Sequence, residues 1–441
     1  MTHVLDKLHP WVASAASPVG PAWLQELRQR GAARFSALGF PTVKDEEWRY
    51  TSVAPIANGE FAPAAAVPLT PAAVDAFPYR AAPHRLVVVN GRFSAELSTV
   101  SGLPAGVRAG SLAGAVNGDW PGVESPQRFL GAIAEFEGRA FAALNTAHLE
   151  DGAYVFVPDG LVVEEPIQVL FVSAGADGRA TVSHPRALIV AGERSECRIV
   201  ETYLGGDSAY FTNAVTEVFV GPGAIVDHYK VQQESVAAFH VASMHVQAAR
   251  GAVFSSHSFS LGGRLVRNDA IARLDGEGAE VTLNGLYLAD GDRLVDNHTT
   301  IDHAQPHCPS HEVYKGILGG RARAVFNGKI IVRPDAQKTD AKQTNRALLL
   351  SDDALINTKP QLEIFADDVK CTHGAAIGQL DEDAIFYLRA RGLTFLEARD
   401  ILIHAFAGEI IDRVQIDALK EGLEAELYSQ LARDLAEVDA A

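Results

Sequence analysis

Cys371 and His373 stand two residues apart in "VKCTHG", immediately before an evident helix start. A thiol and an imidazole are ligands suited to iron, zinc or sulfur chemistry. If the segment is a strand, residues two apart share one face, so both side chains point the same way with Thr372 opposite. An imidazole that close can lower a thiol's pKa and make it a better nucleophile or ligand. Taken alone, the pair reads more readily as packing at the end of a β core, because two groups do not complete a site.

A second concentration of ligand-type residues is "DNHTTIDHAQPHCPSH", which holds His298, His303, His307, Cys308 and His311. His303, His307 and His311 have helical spacing, but Pro306 and Pro309 are incompatible with a helix there. A loop gathering His303, His307 and Cys308 around a metal is the weaker candidate. The cysteines, Cys197, Cys308 and Cys371, include no CxxC pair. A closed zinc or cluster site made by this chain alone is therefore not expected. No GxxxxGK[ST] cradle, GxSxG elbow or HExxH helix occurs, and the paired glycines lack the third of a dinucleotide fingerprint. Nothing announces an enzyme.

The polar block from Gln337 to Asn345, between "KIIVRPD" and "ALLL", is either a polar lining or a long exposed turn. Pro334 and the Asp and Asn side chains favour the turn.

These groups need elements to hold them. The chain has 441 residues, 47% hydrophobic and 21% charged, enough for a large core. Its formal charge of −17 disfavours nucleic acid, whose binding needs lysine and arginine to displace counterions. The first twenty residues lack the unbroken apolar core of a secretory signal. Apolar runs such as "IQVLFV" are too short to cross a bilayer. The expected compartment is the reducing cytoplasm, with no membrane contact.

Residues 1–84 read as partly helical: Trp23, Leu24, Leu27, Phe35 and Leu38 fall near one face, and Gly39 and Pro41 stop the run. The alanine- and proline-rich stretch from Ala62 to Ala82 reads as a linker. Over 85–378, short β-branched runs alternate with glycine and aspartate turns and helical periodicity is hard to find. An approximate repeat aligns Cys197, Ala224, Ala252 and Ala279 at intervals of 27, 28 and 27 residues. Such units close no core alone and must stack, which predicts a mainly β fold, a β-solenoid. Residues 379–441 return to helical period, with Asp381 and a Thr394–Glu397 capping box as starts and Gly392 as a stop. Leu419, Leu423, Leu427 and Leu431 form a stripe that a neighbouring element or a partner must cover.

From Ala322 to Gly392, "ARAVFNGKIIVRPDAQKTDAKQTNRALLLSDDALINTKPQLEIFADDVKCTHGAAIGQLDEDAIFYLRARG" closely resembles the SufB/SufD family of iron–sulfur cluster assembly proteins. The resemblance spans at least Asn284 to Asp412 and reaches "FPTVKDEEWRYTSV" near the N-terminus. The run after His373 and the later "HAFAGEIID" resemble the SufD type more than the SufB type. The resemblance implies a right-handed parallel β-helix flanked by helical segments. It implies a non-catalytic scaffold that meets a SufB-like subunit through the β-helix end and a SufC-like ABC ATPase through the C-terminal helices. Cys371 and His373 would then lie where a transient iron–sulfur cluster forms, with no cofactor held permanently and a reduced flavin a possible addition. His303, His307 and Cys308 receive no role from it. The rivals are a SufB-type primary scaffold and a polysaccharide-active β-helix enzyme.

Overall fold

From Glu196 onward, successive strands go to opposite sheets. Glu196–Gly205, Ile225–Gln233, Val253–Ser260, Glu280–Ala289, Pro309–Leu318, Asp340–Leu349 and Lys370–Gly378 stack in one; Tyr210–Val220, Phe239–Ala248, Leu265–Leu274, Leu294–His303, Arg323–Val332 and Leu355–Ile364 stack in the other. Neighbours in each stack are parallel and in unbroken register, as in Ile225↔Val253 and Asp340↔Lys370. Each circuit of the chain thus adds one strand to each sheet, giving a parallel β-solenoid. This computed structural model describes residues 9–12, 19–79, 82–120, 123–175 and 179–438, with side chains to residue 430. Among them the sheets have 11 and 10 strands, counting those nearer the N-terminus.

The repeat seen in sequence has a backbone cause. Arg194, Gly223, Gly251, Gly278, His307 and Lys338 all adopt positive φ, between 52° and 70°. Each begins a corner, and their N–H groups donate to the carbonyls of Pro222, Arg250, Glu277, Pro306, Gln337 and Asp368 on the next circuit. The residue after each is small and buried: Ser195, Ala224, Ala252, Ala279, Cys308 and Thr339. Register therefore moves the first repeat position from Cys197 to Ser195, because Cys197 faces Val226 within the strands. The interior between the sheets is filled by Val226, Phe254, Val281, Leu283, Phe326 and their neighbours.

The two helical regions cover opposite outer faces. At the N-terminal side, helix Ala22–Leu38 ends at Gly39, whose φ of 65° suits glycine. With helix Ala140–Ala147 it buries Phe211, Val215, Phe239 and Val241 of one sheet. Helix Ala140–Ala147 lies inside the stretch expected to be only β. Seven of its residues are buried, so it shows no apolar stripe for periodicity to detect. Within the described residues the expected linker also holds regular structure: Ala62–Pro63 pairs with Thr181–Ser183, and Thr70 caps the short helix Pro71–Asp75.

One buried ion pair fastens this N-terminal layer. Glu217, on the sheet's outer face, pairs with Arg186, both side chains being fully inaccessible. Its carboxylate accepts the backbone N–H groups of Gly131, Ile133 and Ala134 at 2.9–3.3 Å, while Arg186 donates to Asn145 Oδ1 at 3.0 Å. The "DEEWRYT" segment is held nearby. Arg267 lies 4.4 Å from the Trp48 ring centre and 2.6 Å from Asp296, and Glu47 meets His298 at 3.2 Å. The His298 contact is the largest effect on Glu47 and holds its carboxyl down to about 2.

At the C-terminal side, Asp381 caps Glu382–Arg389 and the Thr394–Glu397 capping box starts Phe395–Ile411. Helix Asp417–Val438 follows. Leu419, Leu423 and Leu427 are buried with Ile403, Ala407 and Ile410 against Tyr229, Phe259, Leu286 and Ile317 of the other sheet. The leucine stripe is thus covered by the solenoid itself. The side chain of Leu431 lies outside the described residues.

Candidate functional site

Both sheets stop at the same end of the solenoid. Leu355–Ile364 pairs with Arg323–Val332 and Lys370–Gly378 with Asp340–Leu349, and each is the terminal strand of its sheet among the described residues. Each therefore carries one row of backbone groups without a strand partner. The rim is apolar as well: Leu355, Ile364, Phe365 and Ile377 are exposed.

Cys371 and His373 belong to this last strand, in register with Ala341 and Gln343. The strand assignment agrees with alternation, which puts both on the inward face. Cys371 is half-buried against Ile330, Val332, Ala336 and Ala341, whereas His373, one pleat further, is exposed. The surroundings of Cys371 do not acidify its thiol. Burial pushes the Cys371 thiol up; the Ala341 backbone opposes this, and Asp340 reinforces it. In the free chain the thiol holds its proton, and a ligand role requires something at the open end to draw that proton off.

The structure does not bring His303, His307 and Cys308 together. His303 lies inside the solenoid, 3.0 Å from Ser310 Oγ, with its pKa lowered to about 4 by burial. His307 is exposed at a left-handed corner position, with φ 60°. Cys308 fills the small-residue position beside it, and its thiol faces the Gly276 and Pro306 carbonyls at 3.3 and 3.4 Å. Among the described residues no three His, Cys, Asp or Glu side chains form a metal-sized group.

The polar block is not one long exposed turn. From Asp340 it is strand, and alternation buries Gln343 and Asn345 in the interior while leaving Lys342 outside. Composition pointed to a turn because it cannot show that the amide N–H groups find acceptors across the interior, as Asn345 Nδ2 does in Thr358 Oγ1 at 3.0 Å. Sequence reasoning also missed Glu312, which accepts from Gln343 Nε2 at 3.0 Å, and the Arg186–Glu217 pair. The period-2 alternation of "DAKQTNRALL" was the available signal for Gln343; nothing local marked Glu217.

A second surface lies on the C-terminal helices. Phe386 is 74% exposed and Tyr387 56%, with Phe395 and Ile401 also open. These large apolar side chains are open on helices that follow the terminal strand in the chain.

Two family models divide the chain between them. SufBD protein N-terminal region matches residues 15–169, and SUF system FeS cluster assembly, SufBD core domain, matches residues 171–406. The chain is similar to Iron-sulfur cluster assembly protein SufD of Escherichia coli, 31% identical across 98% of this chain and 97% of that protein. It is 35% identical to Iron-sulfur cluster assembly SufBD family protein slr0076 of Synechocystis, over 89% of this chain and 88% of that one. Protein ABCI7, chloroplastic, of Arabidopsis thaliana is 31% identical over 90% and 84%. With a parallel solenoid built as the sequence resemblance implied, the chain belongs to the SufBD family and has its role in SUF iron–sulfur cluster assembly.

Proposed function

We propose that this chain is a scaffold subunit with no turnover of its own, acting in the cytoplasm. It pairs with a SufB-like subunit at the open end of the solenoid and carries a SufC-like ABC ATPase on its C-terminal helices. The observation that carries the reading is the coincidence, at one end of the solenoid, of unpaired backbone on both terminal strands, an apolar rim and the Cys371–His373 pair. Strand addition by a partner would complete the sheets and place the thiol and imidazole in a seam shielded from water. The nascent cluster is then cargo, held only while assembly proceeds. ATP-driven movement of the ATPase would reach that seam through helices Glu382–Arg389 and Phe395–Ile411, since packed interfaces switch between discrete arrangements.

Ligand loss separates assembly from chemistry. Co-expressed with SufB-like and SufC-like partners, the His373→Ala chain should give full complex yield by size exclusion. Its cluster content by visible absorbance should fall several-fold. Cys371→Ser should act in the same direction and more mildly, because a partner thiolate supplies the main sulfur ligand. Full cluster content in both variants would leave the pair as core packing and defeat the site assignment.

The ATPase surface has its own test. Replacing both Phe386 and Tyr387 by alanine should weaken capture of the ATPase by about tenfold or more, since exposed aromatics of this size dominate interface energetics. Unchanged capture in a pull-down titration would move the docking surface elsewhere.

A further inference from the structure

Glu312 is the buried acid nearest this open end in the interior column. It lies in register with Gln343, and Gln343 with His373, so the three occupy one inward column on successive circuits. Two strand spacings separate Glu312 from His373, about 10 Å. Gln343 Nε2 donates to Glu312 Oε2 at 3.0 Å. The remaining oxygens of both groups, Glu312 Oε1 and Gln343 Oε1, are buried and have no partner. Two acceptors cannot satisfy each other, and leaving both orphaned is expensive in a low-dielectric interior. A proton on Glu312 Oε1 resolves both by donation to Gln343 Oε1, closing an acid–amide pair. The space is tailored to the amide: a Cβ on Gly328 of the opposite sheet would come within 1.9 Å of Gln343 Nε2.

We propose that Glu312 is held as a neutral acid paired to the Gln343 amide, and that it ionises to supply counter-charge when a cation occupies the Cys371–His373 mouth. The second half rests on the assembly-site reading above. The Oε1–H bond breaks with its electron pair left on the carboxylate, and the proton leaves to solvent at the open end. Nothing is oxidised or reduced.

The surroundings fit a neutral acid. Burial is the largest influence and pushes the Glu312 carboxyl up to about 7, against the pull of Thr299 and Gln343. Thr299 Oγ1, on the opposite sheet, is the other polar group near enough to pull on it, and it too is buried with no other partner. Tyr314, two residues along the same strand, and Tyr287 on the preceding circuit are the titratable neighbours. Burial pushes both phenols above their usual range, so both stay neutral. Asn345 and Leu283 complete the lining without charge.

Infrared difference spectra of the full chain against E312Q test the first half. A carbonyl stretch of a protonated carboxylic acid should be present at pH 6, absent in E312Q, and titrate with a midpoint near 7. Gln343→Leu, a second variant lacking the amide partner, should shift that band. The second half is tested by fixing one positive charge at Cys371 with a trimethylammonium methanethiosulfonate, against a neutral methyl reagent; Cys197 and Cys308 are buried. The cationic label should lower the midpoint by about half a pH unit to one, the Coulomb effect of a unit charge about 12 Å away, two strand spacings across and two residues along. No E312Q-sensitive band overturns the proposal, as does an identical midpoint with both labels.

A folded pKa raised above the unfolded value gives stability that is full at low pH and lost as pH rises through about 7. The melting temperature of E312Q relative to the parent chain should therefore rise between pH 5 and pH 8; a constant difference would also overturn the neutral acid. None of these readouts depends on cluster formation. A normal band with assembly indifferent to His373→Ala would retire the assembly site and its counter-charge role while keeping the acid–amide pair.

Discussion

Glu217→Ala is expected to destabilise the chain by about 3–5 kcal/mol, the range for removing one partner of a buried ion pair. The loss has two parts. Arg186 is fully buried and would keep its charge with only Asn145 and Thr146 as neutral partners. The backbone N–H groups of Gly131, Ile133 and Ala134 would lose their acceptor at the same time. The loop that seats the N-terminal layer on the solenoid would thus be detached by a substitution at residue 217, in the middle of a strand. Replacing both partners with apolar residues, Arg186→Met with Glu217→Leu, should recover part of the loss, because no lone charge remains. Urea unfolding of the three variants measures this. A Glu217→Ala destabilisation below about 1 kcal/mol would show the pair to be well solvated, contrary to its complete burial.

Truncation after Ile416 is expected to be more disruptive still. Leu419, Leu423 and Leu427 are each at most 2% exposed, and each contributes about 1.5–3 kcal/mol of apolar burial. Their removal forfeits about 5–9 kcal/mol, comparable with the whole stability of an ordinary domain. It also uncovers Tyr229, Phe259, Leu286 and Ile317 as a continuous apolar face. The truncated chain should melt many degrees lower and bind a hydrophobic dye in its folded state. A truncation that leaves melting and dye binding unchanged would mean the helix is dispensable to the fold. For the same reason, loss of a partner on truncation says little about docking, and the exposed Phe386 and Tyr387 are the better probes of it.

Local rules were legible wherever the cause was local. Asp381, the Thr394–Glu397 box and Gly39 mark helix ends because capping depends on residues three or four apart. The solenoid was legible because each corner repeats the same demand, a left-handed residue followed by a small one. That demand also explains the misread ligands: His307 and Cys308 occupy the same corner positions as Gly278 and Ala279, and their chemistry is incidental to that role. The placement of Cys371 and His373 on one strand face was likewise readable from spacing two apart.

What the chain order could not contain was anything set by stacking. Spacing allowed His373 to acidify the thiol of Cys371, yet burial under Ile330 and Val332, some forty residues earlier in the chain, pushes it the other way. Gln343 appeared to belong to an exposed turn until register placed it between Glu312 and His373, each about thirty residues distant. Glu217 meets Arg186 and the 131–134 loop only after one circuit has closed and the N-terminal layer has docked. Sequence by itself determined the capped helix ends and the repeat that makes the solenoid, because capping, pleat and corner are decided within a few residues, whereas the fully buried helix Ala140–Ala147 left no such local mark. Tertiary structure alone decided which polar groups are buried, which are charged and which edge stays open, because dielectric and pairing belong to the neighbours that the stacked circuits supply.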